Sequence, residues 1–309
     1  MTFEEKYADI RQLAKDEIEF IEKFMVQNVK TREPLNSHII NFLNAPSKRI
    51  RPLLSILFYK SLYGNISDEK LKALASVELI HSASLIHDDI IDESDTRRGL
   101  KTVACEFGNK LGVICGDYLL SVAMKIVTEL GSVELLKNFS NTLNKMCVGE
   151  INQNFDRFKI STIEDYIEKS KNKTAYLFET ALITPFICHS ESFNNEILRL
   201  KPQNCEKSLI KQMASDFGIN TGIAFQIRDD LMNLTSSDSS KPVRNDITEG
   251  IYNAPVIYAG SPDNYVNGLE KTRDLLNNYI KTACANIEKL PQNVYKKGLE
   301  NFLELLGND

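Results

Sequence analysis

Residues 74–92, LASVELIHSASLIHDDIID, decide the fold of this chain because they join a helical apolar pattern to three aspartates. Their apolar side chains recur at three- and four-residue spacing, which is typical of one face of an α-helix. They are Leu74, Val77, Ile80, Leu85 and Ile91. The same spacing runs through most of the chain, alternating strand patterns are nearly absent, and no linker rich in glycine, serine or proline divides the sequence. The sequence predicts a single all-α domain over residues 1–309.

Two acidic clusters lie in apolar surroundings, at residues 88–92 (Asp-Asp-Ile-Ile-Asp) and 229–233 (Asp-Asp-Leu-Met-Asn). Neighbouring carboxylates repel one another and resist desolvation, so they need a counter-charge, and hard divalent cations usually supply it. On a helix, Asp88 and Asp92 share one face with β-carbons roughly 6 Å apart. Mg²⁺ takes one or two carboxylates and completes its shell with water and phosphate oxygens. The clusters therefore predict a magnesium-mediated site for a phosphorylated ligand.

Other metal sites fit the sequence less well. A calcium loop starting at Asp88 fails, because Glu93 stands where the turn needs glycine and Gly99 stands where the bidentate glutamate belongs. Zinc is not favoured, because the six cysteines form no CxxC pair and the four histidines lack ligand spacing. The cysteines are expected to be reduced and mostly buried. A solvated acidic helix face is the remaining alternative, and two clusters with apolar flanks make it less favoured.

The charge pattern limits the partners. A net charge of −5 predicts no general attraction to nucleic acid or to anionic membranes. The charged N-terminus and the lack of an apolar run near the roughly twenty residues of a bilayer span predict a cytoplasmic protein without stable membrane insertion. Local cations occur at residues 48–51, at residues 97–98, at Lys173 and at Lys241. Arginine and lysine are the usual phosphate binders, so with the acidic clusters they indicate a diphosphate site.

The ordered motifs resemble those of the trans-isoprenyl diphosphate synthases, also called the polyprenyl synthetase family. The first acidic cluster, followed by Arg97-Arg98-Gly99, is similar to the first aspartate-rich motif of that family, and residues 225–230 are similar to the second. Between them, four further motifs fall in the family's order: Gly108-Asn109, residues 116–120, residues 149–153, and Lys173-Thr174-Ala175. The resemblance covers residues 48–255. It implies a helical bundle whose central cavity holds the two aspartate-rich motifs facing each other.

The resemblance also implies an activity and its residues. The chain would be a trans-prenyltransferase that condenses isopentenyl diphosphate with an allylic diphosphate, using up to three Mg²⁺ ions. The implied metal ligands are Asp88, Asp92 and Asp229, with Asp89 and Asp230 in support. The implied contacts to the allylic diphosphate are Arg97, Lys173 and Lys241, and Thr174 and Gln226 are further substrate-binding residues. The implied isopentenyl diphosphate contacts are Lys48, Arg51, His81 and Arg98.

Product length depends on the helix that carries Asp88. If the growing prenyl tail runs along this helix, side chains one or two turns before Asp88 line its path. The nearest are Ala83 and Ser84, which are small, and the deeper ones are Ile80 and Val77. An aromatic plug is absent from these positions, so the expected all-trans product is longer than farnesyl, from geranylgeranyl to heptaprenyl.

Five positions depart from the family pattern. Asn233 stands where the second motif usually ends in aspartate, and Ile251 stands where many members have a second phosphate-contacting lysine. The others are Asn253 for threonine, Ser47 for glycine and Lys101 for proline. These departures affect the expected binding of a third metal ion and of the allylic diphosphate. They leave the first motif and its arginines unchanged.

Two other classes of protein fit the sequence less well. A class I terpene cyclase shares the first motif and the helical fold, but its second metal site is normally an Asn/Asp-Ser-Glu triad, which residues 229–233 are not. A non-catalytic subunit of a heteromeric synthase is expected to lose an aspartate motif, whereas only Asn233 departs. The resemblance implies a homodimer packed through helices near the middle of the chain. A catalytic chain that depends on a small unlike subunit stays open.

Overall fold

The chain is helical almost throughout, as its apolar spacing predicts. The computed structural model describes residues 3–188, 204–235 and 245–308. In chain order the helices are α1 (Phe3–Gln12), α2 (Lys15–Asn28), α3 (Leu35–Asn44), α4 (Ile50–Tyr63), α5 (Asp68–Ile91), α6 (Val103–Phe107), α7 (Asn109–Glu129), α8 (Val133–Phe155), α9 (Ile163–Ser170), α10 (Tyr176–Ile187), α11 (Asn204–Thr235), α12 (Asn245–Thr248), α13 (Ala254–Ala259), α14 (Leu269–Ile287) and α15 (Val294–Gly307). The all-α prediction is confirmed.

Three short elements interrupt the helices. A hairpin of two-residue strands, β1 (Thr96–Arg97) and β2 (Leu100–Lys101), follows α5. A π-helical turn, Lys171–Ala175, joins α9 to α10, and a 3₁₀ turn, Tyr265–Gly268, precedes α14. The hairpin and the π-helical turn both carry residues that the sequence analysis assigned to substrate binding.

The described residues form two compact units, named here by their acidic clusters. The Asp88 unit comprises residues 11–138 and 181–188. Its central helix is α5, whose side chains from Leu71 to Ala83 are almost all buried. Helix α7 lies against it at Gly112 and Gly116: a β-carbon on Gly112 would come within 2.7 Å of the Ile90 side chain, and one on Gly116 would overlap the His87 imidazole. This close helix contact holds the turn of α5 that carries Asp88.

The Asp229 unit comprises residues 3–10, 139–180, 204–235 and 245–308. Its long helix α11 packs against α14 and against the π-helical turn. Gly222 makes the second contact close, because a β-carbon there would lie 2.5 Å from the Cα atom of Ala175. Asp229 and Asp230 follow Gly222 by about two helical turns. The approach therefore places the second acidic cluster beside residues 171–175.

Some predictions are not tested by the structure. The single domain over residues 1–309 stays a prediction. Serines and an aspartate at residues 236–240 predict a loop between the second acidic cluster and Lys241, and both this segment and Lys241 lie outside the described residues. The five described cysteines are free thiols, as predicted, but the prediction that they are mostly buried is wrong for this part of the chain. Cys105, Cys147 and Cys284 are exposed on the outer faces of α6, α8 and α14, and only Cys115 and Cys188 are buried.

One described helix, α7, is long and apolar enough by length and composition to cross a membrane. The sequence analysis did not single it out, since Lys110, Asp117 and Lys125 interrupt its apolar run. Within the apolar window, 44% of the residues are buried inside the protein. Core helices of globular proteins pass the same test, so the absence of membrane insertion stays a prediction.

Candidate active site

The first acidic cluster ends helix α5. The helix stops at Ile91, and the backbone N–H of Asp92 donates to the carbonyl oxygen of Asp88 at 2.8 Å. That bond keeps Asp92 one helical turn after Asp88, so the two carboxylates lie on one face. Asp88 is partly buried and Asp92 is exposed. The predicted metal-ligand pair therefore lies at a helix end that is accessible to a ligand.

Unlike Asp88 and Asp92, Asp89 is buried, with 3% of its surface exposed. The Arg97 Nε atom donates to Asp89 Oδ1 at 2.7 Å, and Arg97 Nη2 lies 2.7 Å from the same oxygen. Burial raises the pKa of Asp89, and the Arg97 guanidinium opposes that rise. This carboxylate orients an arginine, which is the supporting position that the resemblance implied.

The arginines after the first cluster lie on the β1–β2 hairpin. Arg97 pairs with Leu100, so Arg98 and Gly99 form a two-residue turn with φ angles of 53° and 76°. A turn of this type needs positive φ at both residues, which glycine adopts without strain and arginine rarely does. The Arg98 guanidinium lies 5.0 Å from the centre of the Phe42 ring, a contact that fixes its position. The hairpin was not predicted from sequence, because two-residue strands are too short to show alternation.

Four arginines surround His81 in the Asp88 unit. Burial lowers the pKa of His81 well below its usual value, and the nearby positive charges lower it further. The charges are those of Arg51, Arg98, Arg49 and Arg97. The imidazole is therefore neutral at neutral pH, and the arginine charges beside it are partly offset by Glu22, Glu78 and Asp89. The structure brings together Arg51, His81 and Arg98, three of the four residues predicted to hold isopentenyl diphosphate, and leaves Lys48 exposed on the preceding loop.

A buried ion pair that was not predicted from sequence supports this cluster. Arg49 is 2% exposed and has a φ of 51° at the start of α4. Its Nη1 lies 3.2 Å from Oε2 of Glu78, which is 1% exposed, and its Nε donates to Glu22 Oε1 at 3.2 Å. Its Nη2 donates to the carbonyl oxygen of Leu43. In sequence Arg49 looks like one more solvated cation, and only the packing shows that it anchors the loop before Arg51.

The second cluster repeats the pattern of one buried and one exposed aspartate. Asp229 and Asn233 are exposed on α11, whereas Asp230 is 3% exposed. Asp230 accepts hydrogen bonds from the Tyr166 hydroxyl at 2.6 Å and from Gln226 Nε2 at 2.9 Å. The Thr174 hydroxyl donates to Gln226 Oε1 at 2.5 Å. Three predicted residues thus share one hydrogen-bond chain, and Tyr166 is an unpredicted member of it.

In the π-helical turn, the adjacent side chains of residues 173 and 174 have different surroundings. Thr174 is buried toward Gln226, while Lys173 is exposed with its Nζ 3.8 Å from Glu150 Oε2. Turns of this kind occur mostly as single insertions in α-helices and are frequent at functional sites. The Lys173-Thr174 motif was recognisable in the sequence, whereas the irregular turn that carries it was not.

A small pocket in the Asp229 unit is lined by several of these residues. It is lined by Gln153, Lys169, Ser170, Lys173, Gln226, Asp230, Asp246, Ile251 and Asn253. Lys169 Nζ donates to Asn253 Oδ1 at 3.0 Å, and Asn253 Nδ2 donates to Asp246 Oδ2 at 2.8 Å. The predicted Lys173, Gln226 and Asp230 lie in this pocket, and Lys169 and Asp246 were not predicted.

Asp230 gives the protein a pH-dependent stability. Burial raises its pKa from the ordinary 3.8 to about 7. Because the folded state binds this proton more tightly than the unfolded state, the stabilisation is complete below pH 3.8 and is lost as the pH rises through 7. We expect metal-free wild type to lose roughly 2–3 kcal/mol more unfolding free energy between pH 5 and 8 than Asp230→Asn. Urea unfolding at several pH values measures this, and parallel profiles for the two proteins would contradict it.

The side chains present suit Mg²⁺. Asp88, Asp92 and Asp229 offer carboxylate oxygens with exposed surface, whereas Asp89 and Asp230 are buried and engaged by protein donors. Among the described residues, no three carboxylate, histidine or cysteine side chains form a ready-made metal cage. Mg²⁺ does not require one, because it keeps waters and takes oxygens from bound phosphates. The two clusters belong to different units, and their facing arrangement stays a prediction.

Comparison with known proteins gives consistent results. The family model for polyprenyl synthetase matches residues 32–297. A protein named prenyl transferase from Cyanophora paradoxa is 30% identical over 317 residues, which cover 92% of this chain and 93% of that protein. Heptaprenyl diphosphate synthase component 2 of Bacillus subtilis (strain 168) is 31% identical over 249 residues, covering 79% of this chain and 67% of the relative. The crystal structure of polyprenyl synthase from Caulobacter crescentus CB15, complexed with calcium and isoprenyl diphosphate, shares the fold with a TM-score of 0.85 at 21% identity, covering 98% of both chains.

The chain belongs to the polyprenyl synthetase family, a class of trans-prenyltransferases. The fold and the family that the sequence motifs implied are confirmed. The roles of the individual site residues stay predictions.

Proposed function

We propose that this chain condenses isopentenyl diphosphate with an allylic diphosphate in a Mg²⁺-dependent reaction and releases an all-trans polyprenyl diphosphate longer than farnesyl. The observation that carries the proposal is in the Asp88 unit. There two carboxylates one helical turn apart, Asp88 and Asp92, lie at the end of α5. The same helix carries His81, which is close to Arg51 and Arg98. Such an arrangement offers a metal-binding face and a separate cationic place for a second diphosphate.

The reaction follows from where the charges lie. Asp88, Asp92 and Asp229 would hold Mg²⁺, which when bound neutralises the allylic diphosphate and makes it a better leaving group. Arg97, which donates to Asp89, and Lys173 would add positive charge to the same group, as the motif resemblance implies. The C–O bond then ionises to an allylic cation, the double bond of isopentenyl diphosphate attacks it, and loss of a proton gives the lengthened chain.

The second diphosphate site separates this proposal from a terpene cyclase. A cyclase ionises a single prenyl diphosphate and has no use for isopentenyl-binding groups. In this chain Arg51 and Arg98 lie around a neutral His81, and the buried Arg49–Glu78 pair supports them. Such a supported cationic cluster favours an enzyme with two diphosphate substrates.

We also propose that the active form is a cytoplasmic homodimer. Three large apolar side chains on α7 are exposed, namely Leu111, Val113 and Ile114. Contiguous exposed apolar surface favours a protein partner. Equilibrium sedimentation of the purified chain tests this, with a mass near twice 35.0 kDa expected.

Dependence on an unlike subunit is a second candidate arrangement. The Bacillus subtilis relative is named component 2 of heptaprenyl diphosphate synthase. The same exposed surface on α7 would serve such a partner. Activity of the purified chain alone would exclude this arrangement.

One assay tests the proposed function. Purified protein is incubated with labelled isopentenyl diphosphate and, separately, dimethylallyl, geranyl and farnesyl diphosphate, with Mg²⁺ or with excess EDTA, and the products are sized by chromatography. Condensation with Mg²⁺ and none with EDTA is expected. If the folded chain alone forms no product from any of the three primers, the proposal is contradicted for the isolated chain.

Ile80 is the predicted limit on product length. It is 1% exposed, and Val77 and Ala83 on the same helix are fully buried. If the growing tail passes along α5, Ile80→Ala removes bulk from its path, so we expect the product distribution to shift by one or more isoprene units toward longer chains. Chromatography of the products after a fixed conversion measures the shift.

Leu79→Ala provides the matched control for Ile80→Ala. Leu79 is also fully buried on α5 but lies about 100° around the helix axis from its neighbour. Both variants should lose about 2–5 kcal/mol of unfolding free energy, since each removes a buried aliphatic group. Only the Ile80 variant should lengthen the product, and equal distributions for both would count against this path.

A further inference from the structure

The pocket of the Asp229 unit contains a second lysine that the proposed mechanism does not use. Lys169 lies on the last turn of α9, ahead of the π-helical turn that carries Lys173. Both lysines line the pocket with Asp230, Asp246 and Ile251. Two ammonium groups therefore belong to the lining of one small pocket.

This placement is costly for a purely structural lysine. Burial lowers the pKa of Lys169, and the charge of Lys173 lowers it further, while Asp230, Asp246 and Glu150 oppose the shift. Each of these carboxylates has another partner: Asp230 accepts hydrogen bonds from Tyr166 and Gln226, Asp246 accepts one from Asn253, and Glu150 lies 3.8 Å from Lys173. The Lys169 ammonium therefore keeps capacity for a further anion, and charge-assisted hydrogen bonds to phosphate are strong. A bound diphosphate is such an anion.

The hydrogen bonding of Lys169 leaves donor capacity. An ammonium group has three N–H donors. In the described part of the chain, Lys169 Nζ donates to Asn253 Oδ1 at 3.0 Å and lies 5.6 Å from the centre of the Tyr166 ring. Asn253 is itself fixed by its donation to Asp246. The ammonium is therefore held at the pocket wall with donors to spare.

One residue of the pocket lining is apolar where the motif resemblance implies a cation. Ile251 lines the pocket and carries no charge, at the position where the motif resemblance implied a lysine. We propose that Lys169 contacts the diphosphate of the allylic substrate in this pocket and supplies the positive charge that residue 251 does not. This inference rests on the proposed function, and it adds a further substrate-binding residue to that function.

The proposal predicts a selective loss in Lys169→Ile. A charge-assisted hydrogen bond is worth about 1.5–3 kcal/mol, so the allylic KM should rise about tenfold or more, with the isopentenyl KM changed less than about twofold. Binding of the thiolodiphosphate analogue of dimethylallyl diphosphate, measured by calorimetry with Mg²⁺, should weaken by the same factor. The analogue resists ionisation, so this readout does not depend on turnover.

Two variants make the test specific. Lys169→Ile combined with Ile251→Lys moves the charge to another residue of the pocket lining and should recover most of the lost affinity. Lys171→Ile is the matched control, because Lys171 lies two residues away and pairs with Glu168 at 3.4 Å outside the pocket. Its affinity for the analogue should stay at the wild-type value.

Two results would overturn the assignment. One is unchanged analogue affinity in Lys169→Ile. The other is an equal loss for both substrates, accompanied by a lower melting temperature and not recovered by the charge swap, which is the behaviour of a structural lysine. Failure of the wild-type protein to bind the analogue or to condense its substrates would instead overturn the proposed function.

Discussion

Asp88→Ala is expected to reduce the condensation rate about a thousandfold or more, because it removes one of the two in-register carboxylates that would hold Mg²⁺ against the allylic diphosphate. The same variant should keep or slightly raise the unfolding temperature of the metal-free protein. Asp88 is partly buried beside Asp89 and Asp92, so its removal relieves repulsion between like charges. Steady-state kinetics and thermal unfolding on the same preparation measure both effects.

The control for that experiment is Asp68→Ala. Asp68 is an exposed carboxylate in the first turn of α5, at the other end of the helix from Asp88. Its loss should lower stability by less than about 1 kcal/mol and leave turnover unchanged. Near wild-type condensation by Asp88→Ala with Mg²⁺ present would refute the metal-ligand assignment. Unfolding of that variant at a much lower temperature would show that Asp88 is a structural residue.

Arg49→Met is expected to cause the largest loss of stability, about 3–5 kcal/mol of unfolding free energy. The change leaves the carboxylate of Glu78 buried without its closest partner, and it removes the donor to the carbonyl oxygen of Leu43. One oxygen of Glu78, Oε1, is already buried without a hydrogen bond. Removing one member of a buried ion pair costs far more than the pair contributes when intact. Urea unfolding measures the loss.

Two further variants separate the buried charge from general damage to the fold. Arg49→Met combined with Glu78→Met replaces the pair by apolar groups and should regain most of the lost stability. Lys125→Met breaks an exposed pair with Glu129 on α7 and should cost less than about 0.5 kcal/mol. A double variant as unstable as the single one would show that loop anchoring, and not the unpaired carboxylate, sets the loss.

Both predictions concern the Asp88 unit, where stability and chemistry depend on different residues of the same region. The residues proposed to meet substrate retain some exposure, as Asp88 and Asp92 do. The residues that hold them are buried, as Arg49 and Glu78 are. This division explains why a change in a supporting residue should be seen first in unfolding and a change in a ligand first in turnover.

The helical class and the family could be predicted from sequence, because both depend on local spacing. Apolar residues three and four apart define a buried helix face without knowledge of its partner. Asp88 and Asp92 are one turn apart in the chain, so their shared face follows from helix geometry alone. The Lys173-Thr174 motif and the arginines after the first cluster were recognisable for the same reason.

The roles of neighbouring residues could not be read in this way. Asp88 and Asp89 are adjacent and chemically identical, yet one keeps exposed surface and the other is buried against Arg97. Asp229 and Asp230 divide in the same manner, and Tyr166 reaches Asp230 across 64 residues of chain. Burial and partner choice depend on which elements pack together, and one sequence carries no direct record of that.

The sequence by itself determined a helical protein with two aspartate clusters, and with cations suited to diphosphates, since these follow from periodicity and residue chemistry over a few turns. Tertiary structure alone decided that Arg49 is a buried anchor, that residues 96–101 form a hairpin, and that Lys169 shares a pocket with Lys173. The physical reason is that a side chain's charge is a property of the residue. Its hydration and its partners are properties of the packed fold.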